Sequence, residues 1–282
     1  MTGFVSRMLE RNLSGADLTP ENADALAVHH AESIIAEDGV LDGNDDSRVV
    51  VANVESDPWR PFCCLHLAFP DGRHGIGSGL LVAPDLILTA AHNLYDLRSR
   101  RFVSAVHAHV GLHHNAPAAS AAGVRVEVFP GSGHLPAYRS FAHDDRKRHV
   151  SDFGVIKLAT TALFDWAGTC ADLAAQPPMT DDEIRRSLLN VAGYPDDGRV
   201  LTLKTDAGPA LAQSLEMTNF RYRMDTMPGQ SGCPVFRYLT DHNEFLFAGV
   251  HVAGDGDANI ARRFDPVMRG QLIRWKQALN CT

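Results

Sequence analysis

The sequence predicts an all-β protein, a sandwich or barrel, flanked by a helix near each end. Three observations predict it. From Val49 onward the chain is a series of short apolar runs punctuated by Gly, Pro and Asp. Before that point the texture is Ala-rich and then acidic. The last stretch, Pro266 to Leu279, carries apolar residues at helical spacing.

The apolar runs include 48–54, 64–69, 79–82, 86–89, 124–129, 153–158, 189–193, 201–204, 233–236 and 245–252. Runs of this length with turn residues between them are the signature of many short strands. Residues 159–188 read as a link between two β units. Thr19-Pro20 opens the Ala-rich stretch as an N-cap followed by Pro at the first helical position. Ala23, Leu26, Ala27, Ile34 and Ile35 then fall roughly on one face. The polar run from Asp42 to Arg48 reads as a linker. Val267, Leu272, Ile273, Trp275 and Leu279 make the closing segment an amphipathic helix. The expected organisation is an N-terminal extension over 1–45 and one domain over 46–282. That domain divides into a first β unit at about 46–160, a second at about 185–265, and the helix at about 266–280.

Composition narrows the function classes. The 282 residues carry a formal net charge of −8. Phosphate binding needs a basic surface, so a nucleic-acid partner is not expected. No apolar run is long enough to span a bilayer, so no membrane span is expected. The start, with Arg7 and Arg11 but no apolar core, does not read as a secretory signal peptide. The five cysteines, Cys63, Cys64, Cys170, Cys233 and Cys281, match no zinc spacing and read as free, buried thiols, with one disulfide left open. Neighbouring Cys63 and Cys64 should face opposite sides of a strand. His107, His109, His113 and His114 cluster, and His107 and His109 could share a strand face. An exposed loop explains them better than a metal site does. No cofactor and no metal is implied.

Three segments carry chemistry. Gly77-Ser78-Gly79-Leu80-Leu81-Val82, a turn at Pro84-Asp85, and Leu86-Ile87-Leu88-Thr89-Ala90-Ala91-His92 form a hydrophobic hairpin that delivers a histidine. Ser151-Asp152-Phe153-Gly154 puts an acid at the start of an apolar strand. Met227-Pro228-Gly229-Gln230-Ser231-Gly232-Cys233 sets a serine in a Gly-rich turn. A serine hydroxyl needs a base within hydrogen-bond reach, and an imidazole serves. The imidazole in turn needs an acceptor that fixes its tautomer and stabilises the imidazolium. Glycines let the amides of Gly229 and Ser231 turn toward a developing oxyanion, where one lost donor costs about 3 kcal/mol. Each segment alone is ordinary: a structural His, a capping Asp, a tight turn. Together, in the order His92, Asp152, Ser231, they specify nucleophilic acyl transfer. The order excludes subtilisin and α/β-hydrolase arrangements, and Cys233 stands where a nucleophile elbow would need glycine.

With these residues on the page, the sequence resembles the trypsin-like peptidase superfamily, and more narrowly the bacterial glutamyl endopeptidases, over about residues 40–280. The resemblance rests on Thr89-Ala90-Ala91-His92, Ser151-Asp152-Phe153-Gly154, Ala192-Gly193-Tyr194-Pro195, Met224-Asp225-Thr226, Gly229-Gln230-Ser231-Gly232 and Gly249-Val250-His251. It implies two antiparallel six-stranded barrels of the chymotrypsin-like kind with the active site between them. It implies a serine endopeptidase acting on protein or peptide substrates, with His92, Asp152 and Ser231 as triad. It further implies that Val252, Ala253 and Gly254 pair with the substrate backbone as an added strand. Thr226 and His251 match the positions that bind a substrate carboxylate, which implies Glu, or Asp, at P1. Asp225 keeps a rival open, because trypsins place the acid for Arg or Lys there.

Two departures stand out. Cys233 replaces a small Ser or Gly and should point into the second barrel. Pro228 precedes the oxyanion glycine, where its fixed φ is expected to reshape the oxyanion hole of the free enzyme. Gln230 replaces the acid with which digestive relatives capture a new N-terminus. The resemblance places a mature terminus near Val40, so Glu37 or Asp38 is an expected self-cleavage site and residues 1–45 a propeptide. Most relatives of such proteases are exported. A peptide-binding pseudoprotease and an esterase are the competing functional readings.

Overall fold

The computed structural model describes residues 10–12, 41, 46–129, 149–196, 200–254 and 257–281. The N-terminal helix expected over 19–36, and Glu37 and Asp38, lie outside these residues. The first half contains β1 (Glu10–Asn12), β2 (Val49–Val50), β3 (Phe62–Ala68), β4 (His74–Ala83) and β5 (Leu86–Thr89). It continues with α1 (Ala91–Leu94), β6 (Tyr95–Asp96), β7 (Arg101–Phe102), β8 (Ala105–Val110), β9 (Ala119–Val128) and β10 (Gly154–Leu158). The second half begins with α2 (Ala162–Ala167), α3 (Asp181–Arg186), β11 (Leu188–Gly193) and β12 (Lys204–Pro209). Strands β13 (Asn219–Tyr222), β14 (Pro234–Leu239), β15 (Glu244–Gly254) and β16 (Asn259–Arg263) follow, and α4 (Pro266–Ala278) closes the chain.

Six strands of the first half form a closed antiparallel barrel in the order β9-β10-β5-β4-β3-β8, with β8 returning to β9. Long β9 makes closure possible. Its first half pairs with β8 through Ala119–Ala122, and its second half pairs with β10 through Gly123–Val128. Strand β1 adds to β9 at Arg125–Glu127. Alternation drives Leu65, Leu67, Leu81, Ile87, Val106, Val126 and Ile156 into the interior. Each such aliphatic side chain contributes about 1.5–3 kcal/mol on burial.

The second half differs from the expected second closed barrel. Its sheet runs β13-β16-β15-β14-β11-β12-β2 and stays open. Among the described residues its two flanks are linked by the single bridge Ala210↔Tyr222, with Leu211 N donating to Arg221 O at 2.8 Å. Strand β12 ends at Pro209, whose nitrogen has no hydrogen to continue a ladder. The run expected at 201–204 becomes strand only at Lys204, opposite Gly193. Val49 and Val50, early in the chain, pair with Thr205 and Lys204 and so belong to this sheet.

A third apolar cluster joins the halves around Phe62, Phe153, Tyr194, Phe236, Phe247 and Trp275. Asp265 caps α4 by accepting from Met268 N at 2.7 Å, with Pro266 next. Such a cap contributes about 1 kcal/mol. The helix buries Met268, Gln271, Leu272 and Trp275, whereas Val267 is exposed, because at the second helical position it faces away from the sheet. The five cysteines are free thiols. Cys63 packs in the barrel interior, Cys64 in the joining cluster and Cys233 in the second sheet's own core. Burial raises the Cys63 and Cys64 thiol pKa values far above normal. No helix among the described residues is long and apolar enough to cross a membrane.

Candidate active site

The histidine is delivered where β5 ends. From Gly77 on, hairpin β4–β5 is buried apart from its turn, and the chain turns at Ala90 into the one-turn helix α1 that carries His92. Asp152 precedes β10, which lies beside β5 with Gly154 opposite Thr89. This register sets the carboxylate under α1. Asp152 Oδ2 is 2.8 Å from His92 Nδ1, and Oδ1 accepts the His92 backbone N–H at 3.0 Å. Both oxygens therefore hold one residue, and the carboxylate is fully buried. An acceptor on Nδ1 makes Nε2 the ring nitrogen available for proton transfer.

Ser231 lies in the turn before β14. Met227–Gln230 form a type II turn, with Gln230 N donating to Met227 O at 3.0 Å. Pro228 takes the position where fixed φ is preferred, and Gly229 takes the next with φ +94°. The pair matches the turn, so Pro228 fits its geometry without distorting it. A side chain at Gly229 would meet Asp196 N at 2.6 Å and Tyr194 O at 2.7 Å. The turn is tied to β15 by Gly232 N→His251 O at 2.8 Å and His251 N→Cys233 O at 2.9 Å.

The two halves are strapped together by buried polar groups that the sequence motifs did not single out for this purpose. Ser231 O accepts from Ser78 N at 2.9 Å and from Asn93 Nδ2 at 2.8 Å. Ser78 Oγ donates to Gly229 O at 2.8 Å and accepts from Tyr194 N at 2.8 Å. Thr89 Oγ1 donates to Ser78 O at 2.7 Å and accepts from Asn93 Nδ2 at 2.9 Å. Gly232, at φ +89°, fits against Thr89 Oγ1 and Ser78 O with no room for a Cβ. The signal available in sequence was polar Ser78 and Thr89 inside an otherwise apolar hairpin, and Asn93 just after His92.

The positions expected to bind substrate sit on β15 and the segment before the turn. His251 is buried, with Nδ1 2.6 Å from the Tyr222 hydroxyl. Thr226 Oγ1 is buried and makes no hydrogen bond. Pairing of β14 with β15 ends at Pro234↔Val250, so Val252, Ala253 and Gly254 run past β14 with β16 on their one side. Asp225 carries neither role freely. Its Oδ1 accepts from Leu41 N at 2.7 Å, and its Oδ2 accepts from Ser47 N at 2.9 Å and lies 2.6 Å from Ser47 Oγ.

The histidine cluster is part of the barrel rather than a loop at two of its positions. His107 pairs across from His66, and the His66 and His109 rings lie 4.8 Å apart. Burial lowers the His66 pKa to about 4 and that of His109 to about 3. Among the described residues no group of three or more His, Cys, Asp or Glu is placed to hold a metal.

Comparison with known proteins agrees with this architecture. The chain is 25% identical over 221 residues to an extracellular metalloprotease of Bacillus subtilis, across 77% of this chain. It spans only 64% of that protein's length. The metal role in that name finds no matching ligand cluster among the described residues. The chain is 26% identical over 249 residues to the glutamyl endopeptidase of Bacillus licheniformis, covering 84% of this chain and 69% of that protein. A solved Glu endopeptidase structure superposes with a TM-score of 0.66 at 21% identity, over 85% of this chain and 99% of that one. The protease Anisep from Arthrobacter nicotinovorans does so at 0.57 and 14% identity, over 79% and 96%. These likenesses establish a chymotrypsin-like fold. Residues 77–241 match the trypsin-like peptidase domain family, and the chain belongs to that family.

Proposed function

We propose that the protein is a serine endopeptidase that cleaves after acidic residues. The observation that carries this reading is the grip of Asp152 on His92 through both Nδ1 and the backbone N–H, beside a Ser231 turn strapped to Asn93. In the proposed reaction Ser231 Oγ attacks the scissile carbonyl carbon while its proton passes to His92 Nε2. The carbonyl oxygen becomes an oxyanion, held by the amides of Gly229 and Ser231. Collapse breaks the C–N bond, and His92 returns the proton to the leaving amine. Water, deprotonated by His92, attacks the acyl-enzyme; collapse breaks the acyl C–Oγ bond, His92 returns the proton to Ser231 Oγ, and the carboxylic acid product leaves. Asp152 stabilises the imidazolium throughout and stays ionised. In this reading Val252–Gly254, which runs beyond the β14 pairing, takes an extended peptide as an added strand.

The P1 preference follows from which groups are spoken for. Asp225 engages the chain's own Leu41 and Ser47 with both oxygens, which disfavours it as the partner of Arg or Lys. Thr226 Oγ1 is a buried donor without a partner, and buried polar groups are costly unless satisfied. A substrate carboxylate would satisfy it. Tyr222 sets the orientation of His251, whose ring would supply the second, charge-assisted bond.

Covalent labelling with a fluorophosphonate, mapped by mass spectrometry to the Ser231 peptide, tests the chemistry. Labelling that disappears in His92→Ala supports it. Absence of labelling in the full chain and in a chain starting near Val40 would favour a peptide-binding pseudoprotease. A fluorogenic panel with Glu, Asp, Arg and Lys at P1 tests specificity, and preferential turnover of Arg or Lys would reverse the assignment of Asp225.

A further inference from the structure

The residue before Ser231 is Gln230, which is fully buried. Its Oε1 accepts from Met227 N at 3.0 Å, across the type II turn, and from Arg48 Nη1 at 3.1 Å. Arg48 comes from 182 residues earlier in the chain, yet only 2% of its side chain is exposed. A guanidinium is taken out of water at a cost that only matched partners offset. The match on its other side is Asp46, a two-pronged fork with Nε→Oδ1 and Nη2→Oδ2 both 2.8 Å. Between them Ser47 holds Asp225. Three consecutive residues, anchored by β2 on the edge of the second sheet, thus grip the 225–231 segment at two points.

We propose that Arg48, backed by Asp46 and Ser47, is a positioning residue that pre-organises the turn carrying Gly229 and Ser231. A side-chain cation already in the chain braces the residue before the nucleophile, so the turn is set without any newly cut N-terminus. The proposal rests on the serine-peptidase reading above. Gly229 N–H and Ser231 N–H flank Gln230 in the chain, so loosening Gln230 loosens both oxyanion donors at once. The hydrogen bonds from Arg48 also hold the Asp46 carboxyl below its ordinary pKa, which keeps the fork ionised well into mild acid. The other amide atom of Gln230, Nε2, makes no hydrogen bond. A carboxylate should therefore replace this amide without losing a bond.

The test is steady-state kinetics and fluorophosphonate labelling of the full chain. Arg48→Met should lower kcat by about 100-fold, the scale of a lost oxyanion donor, with KM changed by less than about threefold. Arg48→Ala should regain activity in millimolar guanidinium, which a purely structural loss would not do. Gln230→Glu should stay within about threefold of the wild type, and adding Arg48→Met to it should abolish activity by leaving a buried carboxylate unpaired. A folded Arg48→Met protein with unchanged kcat would overturn the proposal. If Arg48→Met does not fold, a tenfold or larger loss of kcat in folded Gln230→Glu overturns it instead, and retention supports it. Failure of the wild type itself to label would sink the underlying serine-peptidase reading, whereas equal labelling of wild type and Arg48→Met would sink only the brace.

Discussion

Asn93 Nδ2 donates to the backbone carbonyl of Ser231 across 2.8 Å, joining the residue beside His92 to the residue proposed as nucleophile. The same nitrogen also reaches Thr89 Oγ1, so one amide fixes the spacing between barrel and turn. Asn93→Ala should destabilise the protein by about 1–3 kcal/mol, since it removes two buried hydrogen bonds. Ser78 N still holds Ser231 O, so the protein should fold. The expected kinetic signature is a lower kcat with little change in KM, measured on an acidic-P1 substrate beside a thermal melt.

Asp152→Asn should leave the fold intact and lower kcat by about 10⁴-fold, because an amide no longer enforces the tautomer that presents Nε2 as a base. Rate measurement at saturating substrate checks this. A loss under tenfold would mean that the His92–Asp152 pair does not carry the chemistry.

Gly232→Ala should destabilise the protein by about 3 kcal/mol or more. The left-handed φ of +89° strains any side chain, and the new Cβ would lie 2.1 Å from Thr89 Oγ1 and 2.4 Å from Ser78 O. Denaturant titration gives the difference directly.

Thr226→Val should separate stability from function. Removing a buried hydroxyl without a hydrogen bond should raise stability by up to about 1 kcal/mol. The same change should reduce kcat/KM for Glu at P1 by about tenfold or more, as a lost charge-assisted bond does. Equal turnover of Glu substrates by both proteins would remove Thr226 from the pocket.

Stability should fall as pH drops through the histidine range. His66 and His109 are held neutral by burial, with folded pKa values of about 4 and about 3. Both are below the unfolded value of about 6.5. Their contribution is fully present above about pH 6.5 and is lost as pH falls toward the folded values, because the unfolded chain binds the protons first. His66→Gln should flatten this loss in melts between pH 7 and 4.

Residue types in chain order were enough to read the family. The apolar runs needed for strands and the His, Asp and Ser segments are local, so they survive in one dimension. The strand pattern also foretold that Cys63 and Cys64 face different cores. What could not be read is what depends on register and closure. Nothing in the run Thr205–Pro209 announces that its ladder stops short of closing a second barrel, because pairing is decided by the distant strand it would meet.

By itself the sequence determined a mostly β chain of the trypsin-like peptidase family, with His92, Asp152 and Ser231 in the order proposed for acyl transfer, and a closing helix. Only the tertiary structure decided that Asp225 faces the chain's own Leu41 and Ser47, that Arg48 reaches Gln230, and that Ser78 and Asn93 strap the two halves together. The physical reason is separation: these bonds join groups 116 to 184 residues apart, and each exists only because buried backbone and charge must find a partner once the sheets have packed.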